Sequence, residues 1–275
     1  MSELFAPAAA VEADGVSSRT PERVSEVADS LAALEGPLDL FQRLALIRAE
    51  IPGRLVFTTS FGLEDQAISH AIFSQALAID VVTLDTGRLF PETHEVWAQT
   101  ERRYGVRVGA FVPEQKKLEA LLARQGIDGF RSSVTDRHAC CDVRKVMPLG
   151  RALTDAVGWI TGLRAEQSSD RAQASMVSFD HRRNLIKLNP LLDWNREHVV
   201  DFVRTHDIPY NTLHDRRFLS IGCAPCTRAV APGESERAGR WWWEQQAQKE
   251  CGLHFSADGR VVRHANLVPS VDPQD

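Results

Sequence analysis

The chain has 275 residues, of which 43% are hydrophobic and 25% charged, and its formal net charge at pH 7 is −5. These values fit an ordinary globular protein with one large α/β domain or two small ones, and they argue against a broad nucleic-acid-binding surface. The sequence has neither an apolar run long enough for a membrane span nor a signal-peptide pattern. We therefore expect a cytoplasmic protein, no membrane contact, and thiols that stay reduced.

The N-terminal half alternates apolar strands with amphipathic helices. Residues 1–20 read as a disordered tail, and Thr20-Pro21 looks like the start of a helix that ends before Gly36-Pro37. The pattern predicts a second helix over residues 38–49, strands over 54–60, 79–84 and 106–112, and helices over 63–77, 91–104 and 114–124. Strands separated by helices of this length predict an open, mostly parallel, twisted sheet flanked by helices.

The second half is less regular. The pattern predicts one long helix over residues 136–153, strands over 158–162 and 184–188, a mobile loop over 165–174, and a helix over 197–206. From Asp207 onward the chain is rich in loops. We divide it into an α/β nucleotide-binding domain over residues 21–232 and a C-terminal segment over residues 233–275.

Three predicted strands end in small or polar residues. These ends are Thr58-Thr-Ser60, Asp85-Thr-Gly87 and Thr161-Gly-Leu-Arg164. In an open parallel sheet such ends meet at one edge, where ligands bind. Ser60-Phe-Gly62 lies between a strand and a helix, so its backbone N–H groups can receive an anion. The alternative is an ordinary turn, since the sequence has neither a Walker nor a dinucleotide-binding signature.

Four of the five cysteines fall into two tight pairs, Cys140-Cys141 and Cys223-Ala-Pro-Cys226. Adjacent cysteines do not form an unstrained disulfide, whereas four thiolates suit zinc or an iron–sulfur cluster. The Cys-x-x-Cys pair alone could instead be a redox pair, which would leave the first pair unexplained.

The fifth cysteine, Cys251, stands apart between Lys249 and His254 and is followed by Gly252. A thiol beside cationic groups is a candidate for a lowered pKa, and the thiolate is the reactive form. The alternative is an inert buried thiol. We favour a reactive Cys251.

A family resemblance rests on four segments in order. They are Thr59-Ser-Phe-Gly-Leu-Glu-Asp65, Leu84-Asp-Thr-Gly-Arg-Leu-Phe-Pro-Glu-Thr93, Thr161-Gly-Leu-Arg-Ala-Glu-Gln-Ser168 and Lys249-Glu-Cys-Gly-Leu-His254. Together they resemble the motifs of the assimilatory sulfonucleotide reductases, which implies an adenine-nucleotide α-hydrolase-like fold. The resemblance implies substrate binding by Ser60, Phe61, Gly62, Asp85, Thr86, Lys145, Gly162, Arg164, Arg237, Arg240 and His254. We expect Arg237 and Arg240 to share one helical face.

The resemblance also implies a cofactor and a reaction. Members of the family with the same four cysteines bind a [4Fe–4S] cluster and mostly use adenylyl sulfate, so we expect Cys140, Cys141, Cys223 and Cys226 to hold such a cluster. Cys251 would attack the sulfate sulfur and form a cysteine S-sulfonate, from which thioredoxin or glutaredoxin would release sulfite. This is a step of sulfate assimilation toward cysteine. We further expect a homo-oligomer, with one residue of Trp241-Trp-Trp243 either covering the site or meeting a partner subunit.

Three alternatives remain open. A phosphoadenylyl-sulfate reductase, or an enzyme that accepts both nucleotides, would differ in substrate alone. A tRNA-modifying ATP pyrophosphatase would show a Ser-Gly-Gly-type phosphate loop and a basic surface. A non-enzymatic iron–sulfur sensor would need neither Cys251 nor a nucleotide.

Overall fold

A six-stranded sheet in the order β3-β2-β1-β4-β6-β5 organises the chain. The computed structural model describes residues 21–32, 38–168 and 171–244. The strands are β1 Leu55–Thr59, β2 Asp80–Leu84, β3 Gly109–Phe111, β4 Gly158–Ile160, β5 Val177–Asp180 and β6 Leu185–Leu188. The helices are α1 Pro21–Ala32, α2 Leu40–Glu50, α3 Leu63–Ser74, α4 Pro91–Tyr104, α5 Gln115–Gln125, α6 Val134–Cys141, α7 Met147–Ala152 and α8 Arg196–Thr205.

Five of these strands run parallel, and only β5 pairs antiparallel, with β6. This confirms the predicted open, mostly parallel sheet. The central strand β1 shows why the sequence folds this way, because successive side chains point to opposite faces and both faces are covered. Leu55 and Phe57 join the core beneath α2, α3 and α8, whereas Val56 packs in the opposite layer with Leu149 and Trp159.

Local signals fix several helix ends. α2 begins at a capping box in which Asp39 accepts from Gln42 N at 2.8 Å. α4 begins with Pro91 at its first turn and ends at Gly105, whose φ of 64° is left-handed. No helix within the described residues is long and apolar enough to cross a membrane.

The structure differs from the sequence-based prediction at several elements. Strand β5 was not predicted. The third predicted strand shortens to β3, because Val108 N donates to Glu101 Oε1 at 3.0 Å instead of joining the sheet. The long helix predicted over residues 136–153 is α6 and α7 joined by a π-helical turn over Asp142–Val146.

The prediction that Arg237 and Arg240 share a helical face is wrong. Arg237 lies in a turn, and Arg240 forms an isolated antiparallel bridge with Thr227. The bridge takes the backbone of residue 240 out of helical geometry. The predicted loop over residues 165–174 contains two short 3-10 turns, Ala165–Gln167 and Arg171–Gln173. The predicted tail, and Cys251 and His254, lie outside the described residues.

Candidate active site

A cavity of about 200 Å³ opens at the carboxyl ends of β1, β2 and β4. Because these strands are neighbours and parallel, their following loops converge there. The predicted substrate-binding residues that line the cavity are Ser60, Gly62, Thr86, Lys145, Gly162, Arg237 and Arg240. The sheet edge thus brings together Ser60 and Arg240, which are 180 residues apart in the chain.

The turn after β1 has a fixed shape. Phe61 adopts a left-handed φ of 59°, and its fully buried ring stacks on Trp97 with ring centroids 5.6 Å apart. The Phe61 side chain therefore belongs to the core and does not line the cavity. The left-handed conformation is costly for a residue other than glycine, and the aromatic packing compensates for it.

Asp65 anchors the same turn from the first turn of α3. Its Oδ2 accepts from both the backbone N–H and the hydroxyl of Ser60, the latter at 2.7 Å. Burial raises the pKa of Asp65 to about 6, although the bonds from Ser60 lower it. Gly162 lies close by, and a Cβ there would stand 2.2 Å from Asp65 Oδ1. Glycine is thus required at residue 162 for Asp65 to keep its place.

The far wall of the cavity is cationic. Arg240 donates to Ile221 O at 3.3 Å, and its guanidinium lies 4.7 Å above the ring of Trp241. Its buried Nε has no hydrogen-bond partner among the described residues. Lys145 and Arg237 line the cavity as well. An anionic group entering the cavity would meet these three cations, and Arg240 Nε could donate to it.

The four paired cysteines line a second, smaller cavity behind this wall. Cys140 and Cys141 end α6, while Cys223 precedes the turn Ala224–Cys226 and Cys226 is its last residue. None of the four forms a disulfide within the described part of the chain. Cys223, Lys145 and Trp241 line both cavities, so the two sites share a wall.

The electrostatics of this site favour the thiolate at Cys223, whereas burial raises the pKa of the Cys140 and Cys226 thiols. Burial alone would raise the pKa of the Cys223 thiol, but the charge of Lys145, a hydrogen bond with Thr86 Oγ1 at 3.3 Å and the charges of Arg240 and Arg144 lower it. Burial raises the pKa of Cys226 to about 11, with the neighbouring Cys223 adding to the rise. An added positive charge, such as that of a bound metal, would favour the thiolate form of Cys140 and Cys226.

The residues present fit an iron–sulfur cluster. Among the described residues, no group of three or more His, Cys, Asp or Glu side chains is arranged to hold a single metal ion. Four thiols around one cavity are the donor set that a [4Fe–4S] cluster takes. The buried Arg144 Nε and Trp241 Nε1 border the cysteine cavity and have no acceptor within the described part of the chain. Donors of this kind suit the sulfur atoms of a cluster.

Two predicted site residues lie elsewhere. Asp85 accepts from Gly87 N at 2.9 Å and shapes its own turn without lining the cavity. Arg164 has no exposed side-chain surface, and it donates to three carboxylates, those of Glu64, Glu166 and Glu236. Its guanidinium does not line the cavity. Arg164 is a buried ionic centre behind the cavity wall.

Among the cavity-lining residues that sequence reasoning did not single out as site residues are Glu64, Asp65, His214 and Glu236. Burial lowers the pKa of His214 to about 4, so its ring is neutral at pH 7, and neither ring nitrogen has a hydrogen-bond partner among the described residues. No local signal marks His214. Glu236 could have been suspected, because it immediately precedes Arg237.

Comparisons with known proteins agree with this geometry. Residues 54–229 match the phosphoadenosine phosphosulfate reductase domain family. The chain is 54% identical over 227 residues to an adenosine 5'-phosphosulfate reductase from Agrobacterium fabrum, covering 82% of this chain and 87% of that protein. It is 50% identical over 200 residues to the protein of the same name from Allochromatium vinosum, covering 73% and 78%.

Among solved structures, the fold resembles that of a phosphoadenylyl-sulfate reductase from Candida auris in a phosphate complex. The TM-score is 0.63 at 23% sequence identity, and the match covers 77% of this chain and 98% of that one. At this sequence identity, the structural similarity supports a shared fold and nothing further.

Proposed function

The chain belongs to the phosphoadenosine phosphosulfate reductase domain family, and on that basis we propose that it reduces adenylyl sulfate to sulfite and AMP. The observation that carries the proposal is the wall shared by a cavity that Lys145, Arg237 and Arg240 line and a second cavity that four cysteines line. Relatives 50% and 54% identical carry the name of this activity. The reaction would serve sulfate assimilation and cysteine biosynthesis.

The cavity would hold the nucleotide by its two ends. The turn over residues 60–62 and the strand ends at Thr86 and Gly162 would surround the adenylyl group. Lys145, Arg237 and Arg240 would bind the sulfate, and His254 would assist from outside the described residues. Cations that face the sulfate oxygens stabilise the charge that develops on them and on the leaving phosphate.

Cys251 is the nucleophile in this proposal. Its thiolate attacks the sulfate sulfur, the bond from sulfur to the phosphate oxygen breaks, and AMP leaves with the electron pair. The product is a Cys251 S-sulfonate. The support is the resemblance of residues 249–254 to the family's catalytic motif and the presence of the other four cysteines around one cavity.

A second thiol completes the reaction. A thiolate of thioredoxin or glutaredoxin attacks Cys251 Sγ, and sulfite leaves with the electron pair of the sulfur–sulfur bond. The mixed disulfide then resolves through the donor's second thiol, so two thiols are oxidised while the substrate sulfur is reduced by two electrons. A cytoplasmic location would keep these thiols reduced.

The metal centre is the remaining part of the proposal. Cys140, Cys141, Cys223 and Cys226 would hold a [4Fe–4S] cluster, with Arg144 and Trp241 as neighbouring donors. When bound, such a cluster would join the two cysteine segments and add its charge to the field at Lys145. Lys145 then serves both sites, because it lines both cavities.

The test is the intact mass of the anaerobically purified protein after mixing with adenylyl sulfate in the absence of thiol donor. We expect a sulfonate adduct on the wild type and none on Cys251→Ser. An adduct with the 3'-phosphorylated nucleotide only would keep the mechanism and reverse the substrate. No adduct with either nucleotide would contradict the proposal.

A further inference from the structure

Glu236 lies next to Arg237 at the cavity, and both of its carboxylate oxygens accept from Arg164 Nη2, at 2.9 and 2.8 Å. We propose that Glu236 is a positioning residue, which holds Arg237 at the sulfate end of the cavity through the buried guanidinium of Arg164. The inference rests on the proposed function, because it assigns Arg237 to the sulfate.

The same guanidinium reaches the nucleotide turn. Arg164 Nε donates to Glu64 Oε1 at 2.7 Å, and Gln167 Nε2 donates to the same oxygen at 3.1 Å. Glu64 is in the first turn of α3, next to Asp65, which anchors Ser60. One cation therefore joins the turn that would bind the nucleotide to the segment that carries Arg237.

Burial strengthens the ion pairs of Arg164 with Glu64 and Glu236. The Arg164 side chain has no exposed surface, and the Glu64 and Glu236 side chains are only 12% and 15% exposed. A buried guanidinium cannot lose a partner to water, because breaking such a pair leaves an uncompensated charge. Arg196 lies 3.5 Å from Glu236 Oε1 and adds a second cation on the other side.

The third carboxylate on Arg164 provides a matched control. Glu166 Oε2 accepts from Nη1 at 3.3 Å, but its side chain is 62% exposed. It belongs to the turn Ala165–Gln167 and does not line the cavity. Removing its charge changes the field at Arg164 without releasing the Arg237 segment.

Loss of Glu236 should therefore affect nucleotide binding and sulfonate transfer differently. AMP lacks the sulfate, so its affinity depends on the nucleotide turn and not on Arg237. Transfer of the sulfonate group to Cys251 needs Arg237 in place, and a displacement of about 1 Å in such a group can slow a reaction about 100-fold.

The experiment compares Glu236→Gln with Glu166→Gln in the full-length protein, using AMP affinity at equilibrium and the single-turnover rate of adduct formation at saturating adenylyl sulfate. For Glu236→Gln we expect an adduct rate about 10- to 100-fold lower, with AMP affinity within about twofold of the wild type. For Glu166→Gln we expect both quantities within about twofold. A wild-type rate in Glu236→Gln would overturn the inference, and so would a loss of AMP affinity as large as the loss of rate.

A double variant tests the route through Arg164. If Glu236 acts through that guanidinium, Arg164→Gln combined with Glu236→Gln should slow adduct formation no more than Arg164→Gln alone. Additive losses would overturn the route. Failure of the wild type itself to form an adduct would count against the proposed function instead, so the two ideas fail separately.

Discussion

The guanidinium of Arg240 lies against the backbone of Gly222, so closely that a Cβ at residue 222 would stand 2.2 Å from Nη2 and 2.6 Å from Cζ. Gly222 directly precedes Cys223, one of the four clustered cysteines. The same short segment therefore shapes the cationic wall of the larger cavity and the four-cysteine cavity. This contact offers a way to move Arg240 without changing its charge.

We expect Gly222→Ala to slow adduct formation by more than about 10-fold, because Arg240 must leave its place beside the cavity and one donor to a developing charge is worth about 100-fold or more. The measurement is the single-turnover rate at saturating adenylyl sulfate, together with the iron content of each preparation. Gly150→Ala is the control, since nothing lies within 4 Å of a Cβ at that helical position. An unchanged rate in Gly222→Ala would show that adduct formation does not depend on Arg240 occupying this position.

Asp65 should make stability depend on pH. Its pKa is raised from 3.8 to about 6, chiefly by burial, so the folded protein holds this proton more tightly than the unfolded chain does. The resulting stabilisation is fully present below pH 3.8 and is lost as the pH rises through about 6. The shift of about 2 pH units corresponds to about 3 kcal/mol.

The measurement is the free energy of unfolding of the wild type minus that of Asp65→Asn between pH 4 and pH 7. We expect this difference to fall by up to about 3 kcal/mol as the pH rises. The exposed Asp201→Asn should leave the wild-type pH profile nearly unchanged. A difference for Asp65→Asn that stays flat across this range would contradict the assignment.

Loss of any one clustered cysteine should remove the metal centre. We expect Cys226→Ser to bring iron and acid-labile sulfide down to background, because a [4Fe–4S] cluster is held by four thiolates and only three would remain. Cys251→Ser should keep both at the wild-type level. Iron retained in Cys226→Ser, or zinc in place of iron in the wild type, would refute the proposed cluster.

The buried pair of Arg137 and Glu244 should be important for stability. Their side chains are 1% and 5% exposed, and the Arg137 guanidinium lies 4.5 Å above the ring of Trp241. Arg137→Met should cost about 3–5 kcal/mol of unfolding free energy, because it leaves the Glu244 carboxylate buried without its cation.

Two variants make this prediction specific. Arg137→Met combined with Glu244→Leu should cost less than Arg137→Met alone, since no buried charge is then left unpaired. Arg107 pairs with Glu101 but is 86% exposed, so Arg107→Met should cost no more than about 1 kcal/mol. Equal costs for Arg137→Met and Arg107→Met, measured by chemical denaturation, would show that the buried pair has no special role.

Much of the sheet could be predicted because its signals are local. β1 is a short apolar run buried on both faces, and the polar residues after β1, β2 and β4 reach one edge because parallel strands end there. The edge strand β5 lacks such a signal. Its four residues, Val177–Asp180, include two polar ones, and the strand exists because it pairs with β6.

The ionic network at the cavity could not be predicted for a different reason. Arg164 reaches Glu64 and Glu236, which are 100 and 72 residues away along the chain. A single sequence indicates which residues carry charge, but not which charges meet. Arg240 was placed on a helix because its spacing from Arg237 suits one, whereas its bridge to Thr227 depends on a distant segment.

The π-helical turn over Asp142–Val146 sets the rotational phase between the cysteine pair before it and α7 after it. Each residue of an α-helix turns the chain by about 100°, so an α-helix shortened by one residue here would rotate α6 by that angle relative to α7. Cys140 and Cys141 would then face away from Cys223 and Cys226. The number of residues between the cysteine pair and α7 therefore determines whether the four thiols face one cavity, and a one-residue deletion here should separate the two cysteine pairs while every cysteine remains in the sequence.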